Sequence, residues 1–267
     1  MTNYKYKPIV FFSAAYLATW SLWIPATFFN NDVIRIVLMV VGTMAPATIS
    51  LVSILGSGNA DLKKDFFKRT KDLKRINWLF LILSIVGFLI AIVFSILVSV
   101  VFGQSLDQFA FTDFSLSLNS VLSLLIIIIS SAIEEVGWRG YGEDAIASEC
   151  TWLKTALIYS ILWTCWHIPL FWVHGSYHYG LRKLGIGYAL NFFVSIIPLG
   201  VLITYIYIKN RRSIIACVIF HVFVNFAQEK VAMTPVTKCV ETFILMVFVI
   251  IVIIAERKLF LSKRLIE

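Results

Sequence analysis

Long apolar runs separated by short polar stretches dominate this chain. A helix needs roughly 20 mostly apolar residues to cross about 30 Å of hydrocarbon. Eight segments approach or exceed that length: 8–29, 33–55, 78–102, 118–137, 152–173, 185–208, 213–229 and 239–256. Helices satisfy every backbone group within one segment, whereas a β-barrel would show short alternating strands. The pattern predicts an all-α polytopic membrane bundle of about eight transmembrane helices.

Composition agrees with a membrane protein. Of the 267 residues, 60% are hydrophobic and 14% are charged, against about 45–50% and about 25% in soluble domains. A soluble fold could not bury so much apolar surface. No Pro/Gly/Ser-rich linker and no internal repeat divides the chain. We therefore expect a single integral-membrane domain over residues 1–267, in the plasma membrane of a prokaryote.

Basic residues are distributed unevenly between the loops. If the N-terminus is cytoplasmic, eighteen of the 23 Lys and Arg residues fall on the cytoplasmic side. This bias is the one that the positive-inside rule describes, and it predicts that both termini are cytoplasmic. The net charge of +8 is then a signal of topology, and no nucleic acid is expected as a partner. The lysine-rich segment 57–77 fits either an amphipathic helix on an anionic leaflet or an ordinary basic loop.

Ionisable groups inside a membrane are costly, which makes them functional candidates. The first group ends the segment 118–137. Glu135 and Arg139 are four residues apart and can form an ion pair on one helix face. Glu134 is rotated by about 100° and is predicted to face the bundle interior as a general base. The alternative is a solvated helix end with an ordinary surface pair.

Two further segments carry histidines. His167 shares a helix face with Trp163, and Pro169 weakens the helix just beyond it. His221 and Asn225 share another face, from which both could donate hydrogen bonds to a developing oxyanion. Packing among aromatic rings and interhelical hydrogen bonding are the alternatives. The three places hold every strong acid and imidazole that we assign to the bundle interior, and together they can activate a water.

Other catalytic chemistries lack their residues. No GxSxG turn or HExxH helix occurs, and the four cysteines form no CxxC pair. His174 and His178 could bind a metal if helical, but Gly175 and Gly180 favour a loop. The seven aspartates, which an intramembrane aspartyl dyad would require, map to loops or segment ends: 32, 61, 65, 72, 107, 113 and 144.

The three groups of residues resemble the motifs of the CPBP intramembrane proteases, a family also called CAAX-protease, Abi or bacteriocin-processing proteins. Its EExxxR motif corresponds to 134–139, its FxxxH motif to 163–167 with Trp163 in place of Phe, and its HxxxN motif to 221–225. The stretch 42–47 is also similar. The resemblance covers roughly residues 40–230, the expected protease core.

This resemblance implies an eight-helix fold whose catalytic cavity opens to the membrane and the cytosol. It implies an endopeptidase that hydrolyses a peptide bond of a membrane-bound or lipidated peptide or protein. By this resemblance, Glu134 and His167 would activate the water in this chain. His221 and Asn225 would stabilise the oxyanion. Glu135 and Arg139 would orient the site.

Metal use is left open by the resemblance. Glu134, His167 and His221 together could form a His₂Glu zinc site. We favour a site without a cofactor, with zinc as the alternative. A non-catalytic protein for bacteriocin self-immunity or scaffolding is the competing function. A transporter is disfavoured because no repeat is present.

Depth in the membrane presents a difficulty. If a helix begins at Trp152, His167 lies about 22 Å along it, whereas Glu134 should lie near the cytosolic surface. The two groups can meet only if the helix 152–173 begins on protein surface outside the bilayer, or is tilted or broken. We predict that this helix begins before the bilayer does.

Overall fold

A computed structural model describes residues 4–112 and 118–263, with side chains from Val121 onward in the second range. The regular elements of these residues are helices. Their bounds are α1 Pro8–Ala26, α2 Asp32–Leu55, α3 Ala60–Lys71, α4 Trp78–Ser99, α5 Leu118–Gly137, α6 Glu143–Ala147, α7 Trp152–Trp166, α8 Tyr177–Leu184, α9 Ile186–Lys209, α10 Ile214–Lys230, α11 Pro235–Ala255 and α12 Arg257–Leu261.

Each of the eight predicted segments contains one helix: α1, α2, α4, α5, α7, α9, α10 and α11. Six helical runs are long and apolar enough to cross a membrane. The bundle also carries large apolar side chains on its outside, including Ile9, Val101 and Phe243, which suits lipid better than water. The all-α membrane fold is confirmed. The number of eight spans stays a prediction, because α7 and α10 have only 15 and 17 residues. The cytoplasmic position of both termini also stays a prediction.

The α-helix that contains Glu134 ends at Gly137, as the apolar run predicted, but the chain stays helical beyond that residue. A π-helical turn over Trp138–Gly142 joins α5 to α6, and one continuous apolar helical run extends over Val121–Ala147. Glycine permits close packing of α5 against α2 just before this turn. A Cβ atom on Gly137 would lie 2.8 Å from the backbone nitrogen of Ala47 in α2, closer than any side chain tolerates.

This extension removes the depth difficulty. Glu134 lies thirteen residues before Ala147, and His167 lies fifteen residues after Trp152, where α7 starts back in the opposite direction. Each distance is about 20 Å along a helix. The two residues therefore lie at similar heights on the two arms of a helical hairpin, and the start of α7 outside the bilayer stays a prediction.

A buried ion network fixes the π turn from the outside. Arg69 of α3 is fully buried and donates to the carbonyl oxygens of Arg139 at 2.7 Å and Gly140 at 3.0 Å. Its Nε lies 2.8 Å from Asp65, and its Nη1 lies 3.2 Å from Asp144. Arg69 thus supplies donors to backbone groups that a regular helix would have satisfied within itself.

The segment 57–77 contains a helix, α3, and part of its apolar face packs on the protein. Leu62 and Phe66 are buried beside Arg69 and do not reach lipid, whereas Phe67 and Leu73 are exposed, so contact of this segment with an anionic leaflet stays a prediction. Arg212 completes the network through ion pairs with Asp65 and Asp144. Its left-handed backbone, φ 62°, is unusual for a non-glycine residue and places its side chain in this network.

Replacing Arg69 with methionine should destabilise the protein. The substitution leaves buried carbonyls in the π turn without donors and takes one cation from a buried carboxylate pair, a loss of about 3 kcal/mol or more. Thermal unfolding in detergent measures it. Lys68→Met is the control, because the neighbouring Lys68 is exposed. Equal unfolding temperatures for the two variants would contradict this role of Arg69.

Candidate active site

The two adjacent glutamates of the first motif have different surroundings. Glu135 is fully buried, and its Oε1 accepts hydrogen bonds from Arg139 Nη1 at 3.0 Å and His221 Nδ1 at 2.9 Å. Arg139 is also fully buried and lies 2.8 Å from Glu143. The predicted ion pair between Glu135 and Arg139 is present, and it lies in the core of the bundle and not at a solvated helix end.

Glu134 points towards α7. Its Oε2 accepts a hydrogen bond from the indole nitrogen of Trp163 at 2.9 Å, and its side chain is partly exposed. Among the described residues Glu134 makes no salt bridge. The carboxylate is therefore available to a ligand in a way that the carboxylate of Glu135 is not.

His167 is oriented by the backbone at the end of α7. Pro169 disfavours helical conformation in the residue before it and lacks an N–H, so the helix tightens and the His167 amide donates to Thr164 O at 3.2 Å. This arrangement frees the carbonyl of Trp163, which lies 2.8 Å from His167 Nδ1. A carbonyl can only accept, so Nδ1 carries the proton and Nε2 of the neutral ring has a lone pair.

The third motif faces α5 from α10. His221 reaches Glu135, and Asn225 donates from Nδ2 to Ser131 Oγ at 3.0 Å. Ser131 and Glu135 lie one turn apart on α5, and His221 and Asn225 lie one turn apart on α10. The two side chains therefore share one helix face, as the sequence predicted.

The indole of Trp163 lies between the motifs. Its ring centroid is 6.1 Å from that of His167 and 5.4 Å from that of His221, and its N–H binds Glu134. Glu134, His167 and His221 thus surround one side chain, while Asn225 lies one turn farther along α10. The structure brings the predicted residues to one place.

His178 is a member of this site that the sequence did not reveal. The predicted loop is present at Gly175, but it does not extend to Gly180, which lies inside α8 together with His178. The His178 ring stacks against His167, with centroids 5.3 Å apart and planes 28° apart. Its Nε2 is buried without a hydrogen-bond partner among the described residues. The one sequence feature that could have pointed to this role is the presence of a histidine in the polar stretch before α9.

Buried acids also occur outside the three motifs, contrary to the prediction. Glu241 of α11 is 3% exposed, and both its oxygens lie 2.7 Å from Gln228 Nε2. Glu143 and Asp144 are fully buried beside arginines. Asp113, one of the seven aspartates, lies outside the described residues.

Metal ligands do not converge in this site. Among residues 4–112 and 118–263, no three His, Cys, Asp or Glu side chains are placed to hold a metal ion. The set of Glu134, His167 and His221 is therefore not a preformed zinc site, and we derive no step through a metal.

The fold is that of a multi-pass membrane protein, and the comparisons with known proteins place it among the membrane endopeptidases. The sequence pattern of the family described as Type II CAAX prenyl endopeptidase Rce1-like matches residues 116–227, which contain all three motifs. The chain is also 38% identical over 273 residues to CAAX prenyl protease 2 of Methanococcus maripaludis, with 98% of this chain and 99% of that protein covered. The chain belongs to this Rce1-like family, as the resemblance implied.

The stability of the fold should depend on pH through His178. Burial lowers the pKa of His178 well below its usual range, and the nearby His167 contributes a smaller effect in the same direction. Between about pH 6.5 and the lowered value, the unfolded chain binds a proton that the folded chain does not, so stability falls as pH falls. We expect His178→Phe, which keeps a stacking ring, to weaken this dependence by up to about 1.4 kcal/mol per pH unit.

Thermal unfolding in detergent at pH 7.5 and 5.5 checks this expectation. His174→Phe is the matched control, since His174 is exposed in the same segment. If the wild type and His178→Phe lose equal stability on acidification, the buried imidazole of His178 does not contribute.

Proposed function

We propose that this protein hydrolyses a peptide bond near the C-terminus of a prenylated, membrane-associated protein or peptide, with a water activated by Glu134 and His167. The observation that carries the proposal is the contrast between the two adjacent carboxylates. Glu135 is hydrogen-bonded to Arg139 and His221, whereas Glu134 makes a single side-chain hydrogen bond within the described part of the chain and is partly exposed. The name and full-length similarity of the archaeal relative support the substrate class.

Glu134 acts as the general base in this proposal. Its carboxylate takes a proton from water, and the resulting hydroxide attacks the carbonyl carbon of the scissile peptide bond. The lone pair on His167 Nε2 accepts the second hydrogen of the water and fixes its orientation. When the tetrahedral intermediate collapses, Glu134 returns the proton to the leaving amine, which balances the reaction.

His221 and Asn225 stabilise the oxyanion. His221 Nδ1 lies 2.9 Å from Glu135 Oε1, a contact that fixes the ring, and the ring donates to the oxyanion from Nε2 when that nitrogen carries a proton. Asn225 uses one amide hydrogen on Ser131 and has a second for the substrate. Each such donor contributes about 10²–10³-fold to the rate in well-studied hydrolases.

No metal takes part in this proposal. The proton moves on Glu134, and the negative charge is met by His221 and Asn225. A Lewis acid would need the imidazole Nε2 atoms that we assign to the water and the oxyanion. The protein should therefore work without a resident ion.

Glu134→Gln and His167→Ala should each abolish cleavage while the protein stays folded. Glutamine keeps the shape of the side chain but has no basic oxygen, and alanine removes the group that orients the water. The assay is cleavage of a farnesylated peptide by purified protein in lipid vesicles, with an unprenylated peptide in parallel. We expect losses of at least about 10³-fold in kcat, and no effect of 1,10-phenanthroline on the wild type.

Glu149→Gln and His174→Ala are the controls, because both residues are exposed and lie away from the motifs. Cleavage retained by Glu134→Gln would overturn the role of the base. Inhibition by phenanthroline that zinc reverses would replace the metal-free mechanism with the zinc alternative. Equal cleavage of the unprenylated peptide would contradict the proposed substrate class.

A further inference from the structure

Trp163 departs from the family motif in a way that reaches the catalytic carboxylate. The motif has phenylalanine at this position, and a benzyl ring carries no hydrogen-bond donor. Here the indole N–H donates to Glu134 Oε2 at 2.9 Å. Among the described residues it is the only side chain that donates a hydrogen bond to Glu134.

The surroundings of Trp163 hold its N–H in one direction. The residue is 3% exposed, and its ring stacks on Tyr159 with centroids 5.8 Å apart and planes 20° apart. The His221 ring meets it edge-on at 85°. A buried indole packed on both sides does not rotate freely, so the hydrogen bond fixes one oxygen of an otherwise flexible side chain.

We propose that Trp163 is a positioning residue for Glu134. Its N–H holds Oε2, which leaves Oε1 free to take the proton from water at a fixed place between His167 and His221. This inference rests on the proposed function, because it requires Glu134 to be the base. An unrestrained glutamate would populate several rotamers, of which few aim an oxygen at the water.

The competing role for Trp163 is filling of the core. A positioning role and a filling role differ in what they change. Loss of the N–H alone should lower kcat and leave KM unchanged, because the indole nitrogen contacts the base and not the substrate. Loss of volume should lower the unfolding temperature, whatever happens to kcat.

Two substitutions separate these roles. Trp163→Phe installs the residue of the family motif, and replacement of Trp163 by 3-benzothienylalanine keeps the shape of the bicyclic ring while replacing N–H with sulfur. Trp23→Phe is the matched control. Trp23 is also buried and its N–H donates at 2.9 Å, but to the carbonyl of Met39 in α2.

We expect both changes at Trp163 to lower kcat about tenfold or more, the size expected for one hydrogen bond to a charged group. KM should stay within about twofold. Trp23→Phe should lose thermal stability without a change in kcat. In a Glu134→Gln background, Trp163→Phe should cause no further loss, since no base remains to be positioned.

A benzothienylalanine variant with wild-type kcat would overturn the inference, as would a loss confined to KM. Failure of the proposed function has a different signature, which is substantial cleavage by Glu134→Gln alone. If Glu134→Gln is inactive and the benzothienylalanine variant is fully active, the base is correct and Trp163 only fills space.

Discussion

The buried guanidinium of Arg139 is the group around which the other elements are arranged. An unpaired cation in a membrane bundle costs several kcal/mol, so its partners must converge on it. They are Glu135 of α5, Glu143 of α6 and Tyr159 of α7, at 2.6 to 3.0 Å. Arg69 binds the carbonyl of the same residue. One charge thus fixes the π turn, the hairpin and, through Glu135, the orientation of His221.

This arrangement explains why the chain needs two adjacent carboxylates. A single glutamate could not both neutralise Arg139 and serve as the proposed base, because Glu135 is fully buried and its Oε1 is already hydrogen-bonded to Arg139 and His221. Successive residues on a helix point about 100° apart. Glu135 therefore faces Arg139 and His221, while Glu134 faces Trp163 and the space beside His167.

The sequence was a good guide wherever structure depends on local periodicity. Apolar runs located all eight long helices, and the i, i+4 spacing predicted the pair of Glu135 and Arg139 and the shared face of His221 and Asn225. Sequence patterns did not predict the features that depend on tertiary contacts. The glycines after Gly137 are typical of a helix end, but donors from Arg69 support a π turn there. His178 reaches His167 only because α8 folds back, and no local pattern records that contact.

The division between the two glutamates is tested most directly by thermal unfolding of Glu134→Gln and Glu135→Gln, purified in the same detergent. Glu134→Gln should match or exceed the wild type, because it removes a poorly compensated charge and keeps an acceptor for Trp163. Glu135→Gln should unfold at a temperature several degrees lower, because Arg139 and His221 lose a buried anion. Equal effects, or the reverse order, would contradict the assignment of Glu135 to structure and Glu134 to chemistry.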